Sequence, residues 1–143
     1  MADIRAVTPA FAVAPQIDAN DMAEIAAAGF KTVINNRPDG EASGQMTDLE
    51  ARRAAETAGL DYVAIPISGG PRPDQIDATS AALAEAKGPV LAYCRSGTRS
   101  ITTWALSQAA ERARPAEEIV ELAAEAGYDL RGLAPVLARL AGG

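Results

Sequence analysis

Four short apolar runs, at residues 11–14, 32–35, 62–65 and 90–93, each give way within a few residues to a stretch with helical character. Strands separated by helices run parallel, and a parallel sheet needs apolar cover on both faces. The expected architecture is therefore a three-layer α/β fold, with a parallel four- to five-stranded sheet and helices on both faces. Residues 1–143 form a single domain of a size that buries a core without staples. The helical stretches are predicted at 17–28, 47–58, 74–86, 100–112, 115–126 and 132–140. Their punctuation is explicit: Thr47 and Glu50 form a capping-box pattern, Gly29 and Gly59 follow two helix ends, and Pro115 suits a first turn.

Ligands of such sheets bind beyond the carboxyl ends of the strands. The fourth run ends there in Cys94-Arg95-Ser96-Gly97-Thr98-Arg99-Ser100, which reads as strand, turn and helix start. A thiol in that turn faces backbone N–H groups and the positive end of a helix, an environment that favours the thiolate and any bound anion. Arginine is the residue best matched to oxyanions, and two flank the cysteine. Arg37, after the second run, and residues 68–72, after the third, lie at the same end of the sheet.

Composition narrows the chemistry. The chain has no histidine and one cysteine, so an internal disulfide is excluded, the usual ligands of zinc, copper and haem are missing, leaving only an oxygen-ligated ion open, and no metal or other cofactor is expected. A net charge of −6 argues against nucleic acid and anionic membrane surfaces. No apolar run approaches the ~20 residues of a membrane span, and MADIRAVTPA lacks the apolar region of a signal peptide. A cytoplasmic location is expected. Aromatics make up only 4%, so the core must be built from Ala, Leu, Ile and Val.

The loop resembles the active-site loop shared by cysteine-based phosphatases and rhodaneses. More closely, the chain resembles the phosphatase-like domain of bacterial beta-lactamase-hydrolase-like proteins, a family also filed as sulfur transferases. Four blocks in order carry the likeness: residues 29–41, Ala58-Gly59-Leu60 with Ile65-Pro66-Ile67, residues 88–100, and Ala126-Gly127-Tyr128-Asp129-Leu130. The resemblance implies a protein tyrosine phosphatase-like fold and leaves the reaction between two chemistries.

Three departures bear on that choice. Phosphatases of this kind place five residues between Cys and Arg, whereas four separate Cys94 from Arg99, a spacing similar to that of single-domain rhodaneses. Tyr93 stands where phosphatases carry His. The aspartate general acid of dual-specificity phosphatases aligns with Gly69. Protonating the leaving oxygen of a phosphate monoester is worth roughly two to four orders of magnitude in rate. That help is missing here unless Asp74 swings in. Sulfur transfer expels sulfite or a thiolate and needs no such acid.

The departures favour a rhodanese-like sulfurtransferase. Cys94 would take sulfur from thiosulfate or glutathione persulfide as Cys94–S–S⁻ and pass it to a thiol, sulfite or cyanide. Amides from Arg95 to Ser100, including those of Ser96 and Thr98, would hold the terminal anion. Gly97 would let the backbone curl inward, and Ser100 would cap the next helix and donate to the sulfur. Arg95 or Arg99, whichever points inward, would bind the donor's oxyanion, with Arg37 a candidate pocket residue. With no second cysteine, the acceptor must come from outside. The first alternative is phosphate-monoester hydrolysis through a phosphocysteine. The second is a non-catalytic anion-binding or sulfur-relay module. The resemblance further implies a persulfide dioxygenase partner, because related chains carry that domain fused.

The structural readings of the same residues are simple. A lone cysteine is often a small buried hydrophobe. Arg37 is expected to pair with Glu41 or Asp39, Asp74 to be a first-turn helix residue, and Trp104 and Tyr93 to pack in the core.

Overall fold

The computed structural model describes residues 1–142. Five strands, β1 (Arg5–Thr8), β2 (Phe11–Ala14), β3 (Thr32–Asn35), β4 (Asp61–Ala64) and β5 (Val90–Tyr93), form one sheet in the order β1-β2-β5-β3-β4. The contacts β2–β5, β5–β3 and β3–β4 are parallel, as the alternation predicts. The fifth strand is not: β1 lies antiparallel on the edge, turned back onto β2 with a register irregularity between Ala6 and Thr8. A two-residue connection leaves no room for a crossover, so this pair can only be a hairpin.

Helices α1 (Asp21–Ala27) and α2 (Asp48–Thr57) cover one face. There Met22, Ile25, Ala51 and Ala55 pack on Ala12, Ala14, Val33, Leu91 and Tyr93. The other face carries α3 (Pro73–Glu85), α4 (Thr98–Ala110), α5 (Ala116–Glu125) and α6 (Ala134–Leu140). Its core joins Val13, Ile34, Val90 and Ala92 to Ile101, Trp104, Ile119 and Leu137. Alternate residues of each strand thus feed opposite cores. Trp104 is buried and stacks on Phe11 with ring centroids 5.4 Å apart. Strand β5, between β2 and β3, is buried at all four residues, and its carboxyl end therefore opens at the middle of the sheet.

Helix starts differ from the sequence reading where polar side chains intervene. Helix α1 begins at Asp21 rather than Ile17: the Asp18 carboxylate accepts from the amides of Asn20 and Asp21, while Asp21 accepts from the Asp18 amide. Ile17 is buried in the connection. The Thr47–Glu50 capping box forms as predicted, with each side chain accepting from the other's amide. Helix α4 starts at Thr98, two residues ahead of the expected Ser100, because Gly97 at φ 94 turns the chain directly into the helix. A 3-10 turn, Arg131–Leu133, occupies the expected start of the last helix, which begins at Ala134. Among the described residues no helix is long and apolar enough to cross a membrane.

Candidate active site

Cys94 follows β5 directly and is fully buried. Its Sγ accepts a hydrogen bond from the Gly97 amide at 3.1 Å, so the loop turns at least one backbone N–H onto the sulfur. The Gly97 conformation that permits this is left-handed, and a Cβ built there would overlap the Tyr128 hydroxyl. The inward curl assigned to Gly97 is what the structure shows.

Of the two arginines, Arg99 is the one that turns inward onto other residues of the fold. Its Nη1 and Nη2 donate to Glu41 Oε2 and Oε1, each at 2.8 Å, and Nη1 also donates to the Ile67 carbonyl at 2.9 Å. Its pKa is raised by the Glu41 pair first, against some desolvation, and further by the adjacent Cys94 sulfur. Arg95 instead projects into solvent and contributes its carbonyl, which accepts from the Gln16 amide at 3.2 Å. Ser96 and Thr98 are exposed as well, and their hydroxyls bond each other at 3.0 Å rather than facing the cysteine.

The role given to Ser100 needs correcting. It lies inside the first turn of α4, and its buried Oγ has no hydrogen-bond partner, neither Cys94 Sγ nor a helix-capping amide. Gly97 is the N-cap, so the amides that a Ser100 cap would have served lie downstream of the real helix start.

Arg37 is buried, and its guanidinium joins the site through Glu41: Nε donates to Glu41 Oε1 at 2.9 Å and Nη1 to Gln16 Oε1 at 2.9 Å. Glu41 therefore bridges two arginines from two strand ends. The Arg99 hydrogen bond, opposed by desolvation and assisted by Arg37, lowers its pKa to about 2. It is a fixed anion at neutral pH and no proton donor. Asp74 is exposed and held by Arg72 at 3.0 Å, as an ordinary first-turn residue. Residues 65–72, which follow β4 toward the site, contain no carboxylate.

Beyond Arg37 lies a cavity of about 250 Å³ lined by Asn35, Arg37, Asp39, Asp48 and Pro66 among others. On its flank Asn35 Nδ2 donates to the Tyr62 hydroxyl at 2.9 Å, and that hydroxyl donates to Asp48 at 2.5 Å. Burial chiefly, and the Asp48 contact next, push the Tyr62 hydroxyl's pKa up. Tyr93 packs in the strand end as read, with a buried hydroxyl that lacks a partner.

Sequence reasoning missed the second partner of Glu41, the Gln16 contact and the part played by Tyr128, which donates to the Ser96 carbonyl at 2.8 Å. The i,i+4 spacing of Arg37 and Glu41 was the one local signal. The others join residues 21 to 58 positions apart, and spacing carries no trace of them.

The architecture is shared with solved phosphatase structures. Over 96% of this chain and 97% of the other, a protein of Neisseria meningitidis described as a candidate phosphatase superposes with a TM-score of 0.83 at 31% identity. PTPMT1, solved in complex with PI(5)P, shares the fold at a TM-score of 0.75 and 14% identity, over 97% of this chain and 94% of its own. The fold and the cysteine loop together define a protein tyrosine phosphatase-like α/β domain. Within that class the chain belongs to the beta-lactamase hydrolase-like protein, phosphatase-like domain family, which matches residues 3–111. The beta-lactamase hydrolase-like protein of Agrobacterium fabrum is 40% identical over 111 residues, 77% of this chain and 26% of the relative. That of Xylella fastidiosa is 33% identical over 120 residues, 83% of this chain and 28% of the relative. The chain thus spans about a quarter of the length of these relatives. The comparisons back the phosphatase alternative better than the sulfur-transfer reading that the loop length favoured.

Proposed function

We propose that the domain is a cysteine-dependent phosphatase. The Cys94 thiolate attacks the phosphorus of a phosphate monoester, and the bond to the leaving oxygen breaks. Water then cleaves the S–P bond of the phosphocysteine and releases inorganic phosphate. The supporting observation is the inward Gly97 N–H on Cys94 Sγ, in a loop whose Arg99 guanidinium is held by Glu41 and the Ile67 carbonyl rather than left in solvent. The likeness to the neisserial candidate phosphatase supports the same reading.

The proton inventory sets the substrate class. Glu41 is ionised, and residues 65–72 offer no carboxyl group, so the leaving group departs without a side-chain acid from these positions. Aryl and acyl phosphates, whose leaving groups are stable as anions, fit this site better than alkyl phosphates.

That same inventory favours a second reading, sulfur transfer. The thiolate attacks the outer sulfur of thiosulfate, sulfite leaves with the electron pair of the S–S bond, and an external thiol then removes the sulfur. A persulfide dioxygenase partner belongs to this reading, and a non-catalytic anion-binding module is what remains if neither reaction occurs.

Intact mass spectrometry and phosphate release, run on the wild type and Cys94→Ser, separate the readings. Release of phosphate from p-nitrophenyl phosphate that disappears in the variant supports the phosphatase. Silence there, with a gain of one sulfur atom (~32 Da) after thiosulfate that is lost on adding thiol, replaces it with sulfur transfer.

A further inference from the structure

The peptide unit between Ser96 and Gly97 carries two contacts of opposite direction. Its N–H donates to Cys94 Sγ at 3.1 Å, and its carbonyl accepts from the Tyr128 hydroxyl at 2.8 Å. In a trans peptide the N–H and C=O point to opposite sides of one rigid plane. Holding the carbonyl outward therefore holds the N–H inward.

Apart from the N–H contact to Cys94 Sγ itself, the Gly97 backbone does not require that orientation. Turning this plane by half a revolution would carry Gly97 from φ 94, with ψ −13, to a negative φ at the same ψ, between the right-handed helical and bridge regions, where residues other than glycine are also found. The turned plane would present a carbonyl oxygen to the sulfur. A partial negative charge would then face the thiolate and any anionic substrate, in place of a donor.

Tyr128 is itself held firmly. Helix α5 ends in a Schellman motif, with Gly127 at φ 98, Gly127 N–H on the Ala124 carbonyl and Tyr128 N–H on the Ala123 carbonyl at 2.8 Å. The Arg5 guanidinium, anchored by Asp3, sits 5.2 Å from the ring centroid. The side chain is largely buried, and burial pushes the hydroxyl's pKa up despite Arg5, so it stays a donor at neutral pH.

We propose that Tyr128 is a positioning residue for the active-site loop, a latch whose hydroxyl fixes the Ser96–Gly97 peptide so that the Gly97 amide stays on the Cys94 sulfur. The assignment rests on Cys94 as the nucleophile and holds for phosphoryl and sulfur transfer alike. Tyr128 touches no reacting atom. It acts through the peptide plane, from a helix end remote in sequence from the loop.

The test is Tyr128→Phe, which keeps the ring and deletes the hydroxyl. The rate of Cys94 alkylation by iodoacetamide should fall at least about tenfold at pH 7, the scale of one hydrogen bond to a charged group. Its pH profile should shift to higher pH, and kcat toward p-nitrophenyl phosphate should fall with KM little changed. The Gly97 amide resonance should broaden or double. A folded variant whose alkylation profile lies within twofold of the wild type at every pH overturns the proposal. If the variant does not fold, Arg5→Gln decides, since it frees the ring without touching the loop: a slower, upshifted profile is expected, and an unchanged one overturns the latch. Alkylation needs no turnover, so a wild type inactive toward phosphate esters would refute the phosphatase and leave this test standing.

Discussion

Glu41 and Arg99, 58 residues apart in the chain, meet through both carboxylate oxygens and both terminal nitrogens at 2.8 Å, and the same carboxylate also receives Arg37. The guanidinium that flanks Cys94 is thus aimed before any substrate arrives, and the cost of ordering it is met on folding.

Replacing Arg99 with Ala should lower kcat/KM by about two to three orders of magnitude, the loss typical of a preorganised anion-binding group. Arg95→Ala should stay within about threefold, because its side chain lies in solvent. Steady-state assays of the two variants side by side check the choice of arginine, and equal losses would contradict it.

Glu41→Gln should leave Arg37 and Arg99 without their shared anion and reduce kcat/KM by at least about tenfold. The pH signature is specific. A carboxyl group held at about 2 in the folded protein against 4.5 unperturbed stabilises the fold fully above 4.5, and that contribution is lost as pH falls from 4.5 toward 2. Urea unfolding of wild type and variant across this window should show the difference between them shrinking with acid. The activity profile above pH 5 should carry no limb that Glu41→Gln removes.

Gly97→Ala places a side chain at φ 94 and against the Tyr128 hydroxyl. The strain is worth about 1–3 kcal/mol, seen as a lower unfolding free energy. Activity should fall much further than stability, because the relaxed backbone withdraws the amide from Cys94.

Tyr62→Phe removes the hydroxyl that links Asn35 to Asp48. A loss of about 1 kcal/mol in urea unfolding is expected, with kcat little altered, since the contact borders the cavity beyond Arg37 rather than the sulfur. Trp104→Ala, by contrast, empties the core under Phe11 and should cost about 3–5 kcal/mol.

The sheet was readable because its strands are apolar on both faces and glycines close the helices between them. Strand β1 was not: Arg5 and Thr8 leave it half polar, as suits an edge strand with an exposed residue at Ala6. Helix starts shifted where a side chain, as at Asp18, or a left-handed glycine, as at Gly97, redefined the cap. Cys94 and Arg37 could be singled out from their places just beyond strand ends, and Gly97 from the turn that follows Cys94. The choice between Arg95 and Arg99 depended on loop conformation, where one residue of shift exchanges them. Ser100 was misread for the same reason. Glu41 was seen only as a partner of its neighbour in sequence, and Tyr128 only as part of a family block, because their main contacts are made through space.

The site takes Gln16 from beyond β2, Arg37 from beyond β3, the Ile67 carbonyl from beyond β4 and Cys94 from beyond β5. No two neighbouring strands suffice to build it. Such long-range closures form late in folding. A refolding chain should therefore recover its helical circular dichroism before its Cys94-dependent activity, and partly folded copies would carry an ordinary exposed thiol rather than one held in the assembled site.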